Sequence, residues 1–305
     1  MTRWLITGAA GMLGTDLVAL LTAAGEPVTG LSRKDLDITD PVAIAAAVEA
    51  AKPDVVVNCA AWTAVDDAES SEDEALAING RAVASLATAC RSAGAALVQP
   101  STDYVFDGSA TSPYAEDAVP APRTAYGRTK LAGEQAVLST LPEAAYVVRT
   151  AWLYGSNGPN FVRTMLRLAH SGTSPAVVDD QRGQPTWSLD VARQIRSLIR
   201  VGAPSGVYHA TSSGETTWFG LAREVFRLYR SAQTEDPQDL QKADIERTVV
   251  SPRPITTAEY PLPAPRPAYS VLGHAAWAAA GIAPIGDWRD ALQRAFPAML
   301  AAAPR

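Results

Sequence analysis

Apolar residues follow two alternating rhythms along the first half of the chain. Trp4-Leu5-Ile6-Thr7 is a short aliphatic run that predicts a strand, and Met12–Ala24, with apolar residues three and four apart, predicts a helix. Pro27–Leu31 reads as a second strand. Asp40-Pro41 supplies an N-cap and a first-turn proline for a helix reaching about Ala51. Asp54–Cys59 (DVVVNC) is continuous and β-branched, as in a strand buried on both faces. Ser71-Glu72-Asp73-Glu74 reads as a capping box opening one helix that ends near Gly94. A strand over Ala95–Pro100, a helix over about Thr124–Leu138 and a strand over Tyr146–Thr150 continue the alternation. Repeated strand–helix–strand units with short joints imply a parallel sheet covered by helices on both faces.

Beyond Trp152 the rhythm changes. Helices are expected at about Asn160–His170, Leu189–Val201, Trp218–Arg230 and Asp287–Met299, with a short strand at Val207–His209. Gln233–Ala268, rich in proline and charge, reads as irregular. The expected fold class is therefore α/β. A Rossmann-type doubly wound sheet fills residues 1–150, and a smaller, mainly substrate-binding part fills 151–305, with room for segments that return to the sheet.

Composition adjusts this picture little. Hydrophobic residues are 47% and charged residues 19% of 305, which is ordinary globular usage. A net charge of −6 leaves no electrostatic footprint for nucleic acid or an anionic membrane, so neither is an expected partner. The apolar runs stop short of the roughly 18 residues a membrane helix needs. The opening MTRWLITGAAG lacks a charged stretch followed by a long apolar one, and a cytoplasmic location is expected. Cys59 and Cys90 read as buried thiols, too few for a disulfide or metal framework. His170, His209 and His274 share no ligand spacing and read as structural, so no metal is expected.

Chemistry enters at the turn after the first strand. Gly8-Ala9-Ala10-Gly11-Met12-Leu13-Gly14 lies between strand and helix, where glycines let the backbone approach a pyrophosphate seated on the helix N-terminus. The second strand then runs into Ser32-Arg33-Lys34, with no acid before Asp35. An arginine there accommodates a 2′-phosphate, which favours NADPH with NADH possible; the other reading of Arg33 is a solvated surface charge.

Tyr126-Gly127-Arg128-Thr129-Lys130 places a phenol and an ammonium one helical turn apart on one face. A phenol is a poor acid at neutral pH, and a neighbouring cation improves it. Thr102, at the carboxyl edge of the fourth strand, is placed to hold a substrate carbonyl oxygen against Tyr126. Thr102, Tyr126 and Lys130 are thus the candidate catalytic residues.

These motifs, in this order, resemble the dTDP-4-dehydrorhamnose reductase family of the extended short-chain dehydrogenases. The likeness spans nearly the whole chain, through Gly8–Gly14, the string Asn58–Asp66 (NCAAWTAVD), Ser101–Gly108 (STDYVFDG), Tyr126–Lys130, Arg149–Gly155 (RTAWLYG), Asn160-Phe161-Val162, Asp180–Thr186 (DQRGQPT) and Arg266-Pro267. It implies reduction of the C4 ketone of a dTDP-4-keto-6-deoxy-L-hexose by NAD(P)H, with Tyr126 as proton donor. It implies that Gly8, Gly11, Met12, Leu13, Gly14, Ser32, Arg33, Asp37, Ile38, Ala60, Ala61, Trp62, Thr63, Tyr126 and Lys130 meet the cofactor. Val65, Thr102, Asp103, Tyr104, Tyr126 and Trp152 are implied around the sugar, although Val65 and Trp152 also suit a core and Asp103 a turn cap.

A nucleotide-sugar further needs an apolar slot and polar donors. Trp187 and Arg266 are the candidates for these, with Asn160 and Gln181 as neutral donors. For Arg266 the alternative is that it only pins the irregular segment. Some members of the family join subunits through a magnesium site of glutamates. The matching positions here, Asp16, Asp190 and Arg289, include a cation, so a monomer or weak homodimer without metal is expected. Asn79 matches a structural helix asparagine. The rival reactions are those of a sugar-nucleotide epimerase or dehydratase, or none in a non-catalytic regulatory homologue. Asp103-Tyr104 after Thr102 offers no second adjacent acid for eliminating water, and a degenerate homologue would have lost Tyr126 or Lys130.

Overall fold

The DVVVNC run becomes strand β3 (Val55–Asn58), buried along its whole length between two layers of helix. It is one of six parallel strands in the order β10-β5-β4-β3-β1-β2. The others are β1 (Trp4–Thr7), β2 (Val28–Leu31), β4 (Ala96–Thr102), β5 (Ala145–Thr150) and β10 (Gly206–His209). This computed structural model describes residues 1–233 and 250–302. Of the irregular stretch expected over Gln233–Ala268, residues 234–249 lie outside the described residues, and the rest includes a short strand, Arg253–Ile255, and a 3-10 turn, Thr257–Glu259.

Alternation along the strands divides the core. On one face Ile6, Val57, Val98 and Val148 pack on Leu13, Leu17 and Leu21 of α1 (Met12–Ala23) and on Val191, Ile195 and Leu198 of α8 (Ser188–Arg200). On the other, Leu5, Val56 and Leu97 meet Ile44 and Val48 of α2 (Pro41–Ala51), Leu86 and Cys90 of α5 (Ala82–Ala93) and Val137 of α6 (Ala125–Thr140). A third core joins α7 (Phe161–His170), α9 (Trp218–Gln233) and a C-terminal helix, Trp288–Ala301, through Leu166, Phe226, Trp288 and Phe296. Short strands tie this part together: β6 (Leu153–Tyr154) with β9 (Thr186–Trp187), β7 (Ala176–Val178) with β12 (Arg253–Ile255), and β8 (Arg182–Gly183) with β11 (Thr216–Thr217).

The second half contributes to the first sheet directly. β10 pairs with β5 from Gly206↔Tyr146 to His209↔Arg149, and α8 covers the face beside α1. Strand β4 continues two residues beyond the expected end, through Pro100 to Thr102. Proline lacks the ladder donor, but its carbonyl oxygen still accepts a bond, from Lys130 Nζ at 2.7 Å.

The single helix expected from Ser71 to Gly94 is broken. Short helices α3 (Val65–Ala68) and α4 (Glu72–Leu76) lead into a π-helical turn, Ala77–Arg81, before α5 begins. The Ser71 side chain does not cap α4, so the capping-box expectation fails. The wide turn has a use: it carries Asn79 inward, where its side chain accepts from Trp62 N at 2.9 Å and donates to Trp62 O at 3.1 Å and Thr129 Oγ1 at 3.2 Å.

Candidate active site

Strand order reverses beside β1, so the chain connections leaving the carboxyl ends of β1 and β3 part to opposite sides and leave a crevice, the usual ligand position in such sheets. The glycine turn forms its floor. Gly8 has φ +63, and a Cβ there would lie 2.5 Å from Ala60 N. A Cβ on Gly14 would lie 2.4 Å from Gly8 O. Neither position admits a side chain, and α1 therefore starts tight against the strand. Beneath the turn, Thr7 donates to Asn58 at 2.6 Å, and Asn58 donates to Gln99 at 2.8 Å, linking β1, β3 and β4.

A cavity of about 690 Å³ opens above this floor. Gly11, Met12, Leu13, Ala61, Thr63 and Lys130, which the sequence assigned to the cofactor, line it. Val65, Thr102, Asp103, Tyr104, Tyr126 and Trp152 line the remainder, so the expected sugar contacts converge with the expected catalytic residues. Gly127 makes this possible: a Cβ on it would lie 2.2 Å from Tyr104 O, so only glycine lets α6 approach the end of β4. Thr124 caps α6 by accepting from Gly127 N at 3.0 Å.

The electrostatics differ in one respect from the sequence expectation. The Tyr126 phenol is raised, not lowered, from its ordinary value. Burial and then the Asp103 charge push its phenol up to about 12, and only the Thr102 hydroxyl pulls it down. Lys130 is itself pushed down to about 8 by burial, against the opposing charge of Glu134. Burial likewise raises the Asp103 carboxyl to about 6, against the pull of Ser270 and Thr102. Thr102 donates to Asp103 Oδ1 at 3.0 Å and accepts from Tyr104 N at 3.1 Å. Cys59 is half-buried in the cavity wall rather than wholly in the core, whereas Cys90 is buried as expected.

Several expected contacts are placed elsewhere because their side chains are already engaged. Arg266 makes a two-pronged pair with Asp66, at 2.9 and 2.6 Å, beside Tyr104 but outside the main cavity. Asn160 caps α7, accepting from Arg163 N and donating to Gly155 O. Gln181 is buried and donates to Thr257 Oγ1 at 2.9 Å. Trp187 lies under the guanidinium groups of Arg193 and Arg294, 5.4 and 5.6 Å from its ring. Trp62 is not part of the cavity lining; it packs on the buried Ala68, Ala75 and Ala125 and donates to Ala64 O at 2.9 Å. Ser32 is tied to Asp35, and Asp37 to Thr39, while Arg33 is exposed and Ile38 half-buried. At the positions matched to a magnesium site, both Asp190 oxygens are held by arginines, Arg193 and Arg294, each at 2.8 Å. Asp16 accepts from Ser188, and Arg289 lies over the Trp288 ring. No group of His, Cys, Asp and Glu among the described residues could hold a metal ion. No helix among them is long and apolar enough to cross a membrane.

Sequence reasoning missed the far wall. Tyr154, Phe161, Val162, Trp218 and Leu221 line it, and Trp218 stacks on Trp152 with centroids 3.7 Å apart. Trp152 has φ 47, a left-handed backbone costly for a bulky residue, and Gly183 leaves room for its ring. Ser101 and Thr150 also line the cavity. Their places at the carboxyl ends of β4 and β5 are the signal that could have found them.

The chain matches the family described as RmlD substrate binding domain over residues 2–300. It is 52% identical over 295 residues to the dTDP-4-keto-6-deoxy-D-glucose reductase of Streptomyces niveus, covering 97% of this chain and 96% of that protein. Identity to the dTDP-4-dehydrorhamnose reductase of Streptomyces griseus is 51% over 307 residues, 99% of this chain and 96% of the relative. The solved dTDP-4-dehydrorhamnose reductase of Bacillus anthracis, in complex with NADP, has a TM-score of 0.88 and 36% identity, covering 97% of this chain and 99% of that one.

Proposed function

Because the chain belongs to the RmlD substrate binding domain family, we propose that it reduces the C4 ketone of a dTDP-4-keto-6-deoxyhexose at the expense of NADPH, with NADH as the alternative coenzyme. The observation that carries this is convergence: Thr102, Tyr126 and Lys130 line the same cavity as the glycine turn. The names of the relatives supply the substrate class, since both Streptomyces enzymes are called reductases of dTDP-ketosugars.

The cradle suits a dinucleotide. Gly11, Met12 and Leu13 open α1 toward the cavity, where its first N–H groups and dipole favour a pyrophosphate. Asn79 fixes the backbone of the loop at Trp62, which carries Ala61 and Thr63 on the cofactor side. Exposed Arg33 stands at the end of β2 for a 2′-phosphate. NADPH, when bound, supplies the hydride.

The proton is then the protein's task. Tyr126 donates its phenolic proton to the C4 oxygen as charge develops there. A phenol held near 12 stays protonated throughout the working pH range, so the donor is always loaded. Lys130 lies one turn along α6, held against Pro100 O, and its ammonium stabilises the phenolate that donation leaves behind. Trp152 and Trp218 close the far side with an apolar wall that suits a deoxygenated sugar edge and keeps water from the hydride.

The test is direct. The protein is mixed with NADPH and dTDP-4-keto-6-deoxyglucose, with and without a 3,5-epimerase, and the product is identified by NMR. A C4 alcohol with matching NADPH loss supports the reading. Conversion without NADPH consumption would replace it with an epimerase or dehydratase.

A further inference from the structure

Two hydroxyl oxygens in the cavity wall, Ser101 Oγ and Thr150 Oγ1, are buried and make no hydrogen bond among the described residues. Burying a hydroxyl unpaired is unfavourable, and at Thr150 valine would fill the same volume without that cost. Thr150 is the register partner of Thr102 across β4 and β5, so both side chains rise from the same face of the sheet, about 5 Å apart along the strand spacing. Their hydrogen-bonding states differ. Thr102 has one hydrogen and directs it to Asp103 Oδ1, while its oxygen already accepts from Tyr104 N. It therefore has no free donor for a ligand while Asp103 accepts. Thr150 retains both its donor and its lone pairs, at a point flanked by Thr102 on one side and Trp152 on the other.

We infer that Thr150 is a further substrate-binding residue, whose hydroxyl hydrogen-bonds an oxygen of the hexose ring beside the carbon that Tyr126 serves. This rests on the reductase reading above. It assigns to Thr150 the ligand contact that Thr102, turned toward Asp103, does not supply alone.

Thr150→Val keeps the shape and removes the hydroxyl, and Thr150→Ser keeps the hydroxyl. Three quantities are measured for parent and variants: kcat/KM for the dTDP-ketosugar, the NADPH dissociation constant of the binary complex by fluorescence titration, and the melting temperature without ligand. In Thr150→Val, kcat/KM for the ketosugar should drop by about 2- to 13-fold, the range for one neutral hydrogen bond. NADPH affinity should hold, and the melting temperature should stay level or rise because an unpaired hydroxyl has left the interior. Thr150→Ser should recover most of the activity. A Thr150→Val enzyme as active as the parent would overturn the inference. So would a loss confined to NADPH affinity, which makes Thr150 a cofactor residue, or a lowered melting temperature rescued by serine, which makes it structural. A parent that reduces no dTDP-ketosugar would instead overturn the reading on which the inference rests.

Discussion

Tyr126 and Lys130 carry opposite burdens of burial. In the role proposed for Tyr126 burial is useful, because it keeps the proton in place until the substrate oxygen demands it. Tyr126→Phe should lower kcat by roughly 10²–10⁴-fold, the usual share of general acid catalysis, with NADPH binding intact; turnover within a few-fold of the parent would remove Tyr126 from the mechanism. For Lys130 burial is a cost. Its folded value, about 8, lies below the ordinary 10.5, so between those values the unfolded chain holds more protons and stability rises with pH. Activity runs the other way. kcat/KM should fall as pH rises through about 8, where the ammonium beside the phenolate is lost. Comparing the melting curves and pH–rate profiles of the parent and Lys130→Met isolates both trends, and the variant should show neither. The Y-x-x-x-K spacing made this pair legible in the sequence. The sense of the tyrosine shift was not, because it depends on how deeply the phenol is buried.

At the scale of elements, most boundaries followed from caps and periodicity: Asp40 before α2, Thr124 before α6, Asn160 before α7 and Asp287 before the last helix all cap as polar side chains should. The π-helical turn at Ala77–Arg81 did not, since one inserted residue leaves helical periodicity almost unchanged while turning Asn79 inward. Gly133 is its counterpart on α6, where a Cβ would lie 2.2 Å from Asn79 O. Gly133→Ala should destabilise the protein by about 1–3 kcal/mol through overpacking. It should also weaken NADPH binding, because Asn79 holds the Trp62 backbone; chemical denaturation and a binding titration read the two effects. The Arg266–Asp66 pair is another tie between elements, joining α3 to the segment before Ser270 across 200 positions of sequence. Arg266→Ala should lower the melting temperature, by the equivalent of about 1–2 kcal/mol, less than a fully buried pair because both partners still meet solvent. The KM for the nucleotide-sugar should stay unchanged. A raised KM at unaltered stability would return Arg266 to the substrate. Sequence reasoning could list its charge but not its partner, since ion pairs over such separations leave no local trace.

On the scale of the whole molecule, the glycine turn, the hydroxyl ending β4 and the helix carrying Tyr126 and Lys130 were all legible, because each is a short contiguous stretch of sequence. The far wall was not. Phe161, Trp218 and Leu221 belong to helices that meet the cavity only through tertiary packing, and their periodicity alone marks them as core. The sequence left room for segments of the second half to return to the sheet but did not say which; they are β10, which completes the sheet beside β5, and α8, which seals one of its faces.

That shared sheet has a consequence for how the chain is made. As residues emerge from the ribosome in order, the edge of β5 and the apolar face bearing Val98 and Val148 remain uncovered until α8 and then β10, ending at His209, have been synthesised. A nascent chain stopped near residue 150 thus has five of the six strands of the main sheet but lacks the α8 cover on one face, with an open edge and a partly exposed core. A fragment spanning 1–150 should be insoluble or chaperone-bound when expressed alone, while one reaching to the end of the 275–279 helix, whose Trp277 packs into the same face, should partition to the soluble fraction. Soluble, cooperatively melting protein from the shorter fragment would show that its sheet closes unaided. Otherwise the nucleotide-binding half is a product of the whole translation, born last where it was encoded first.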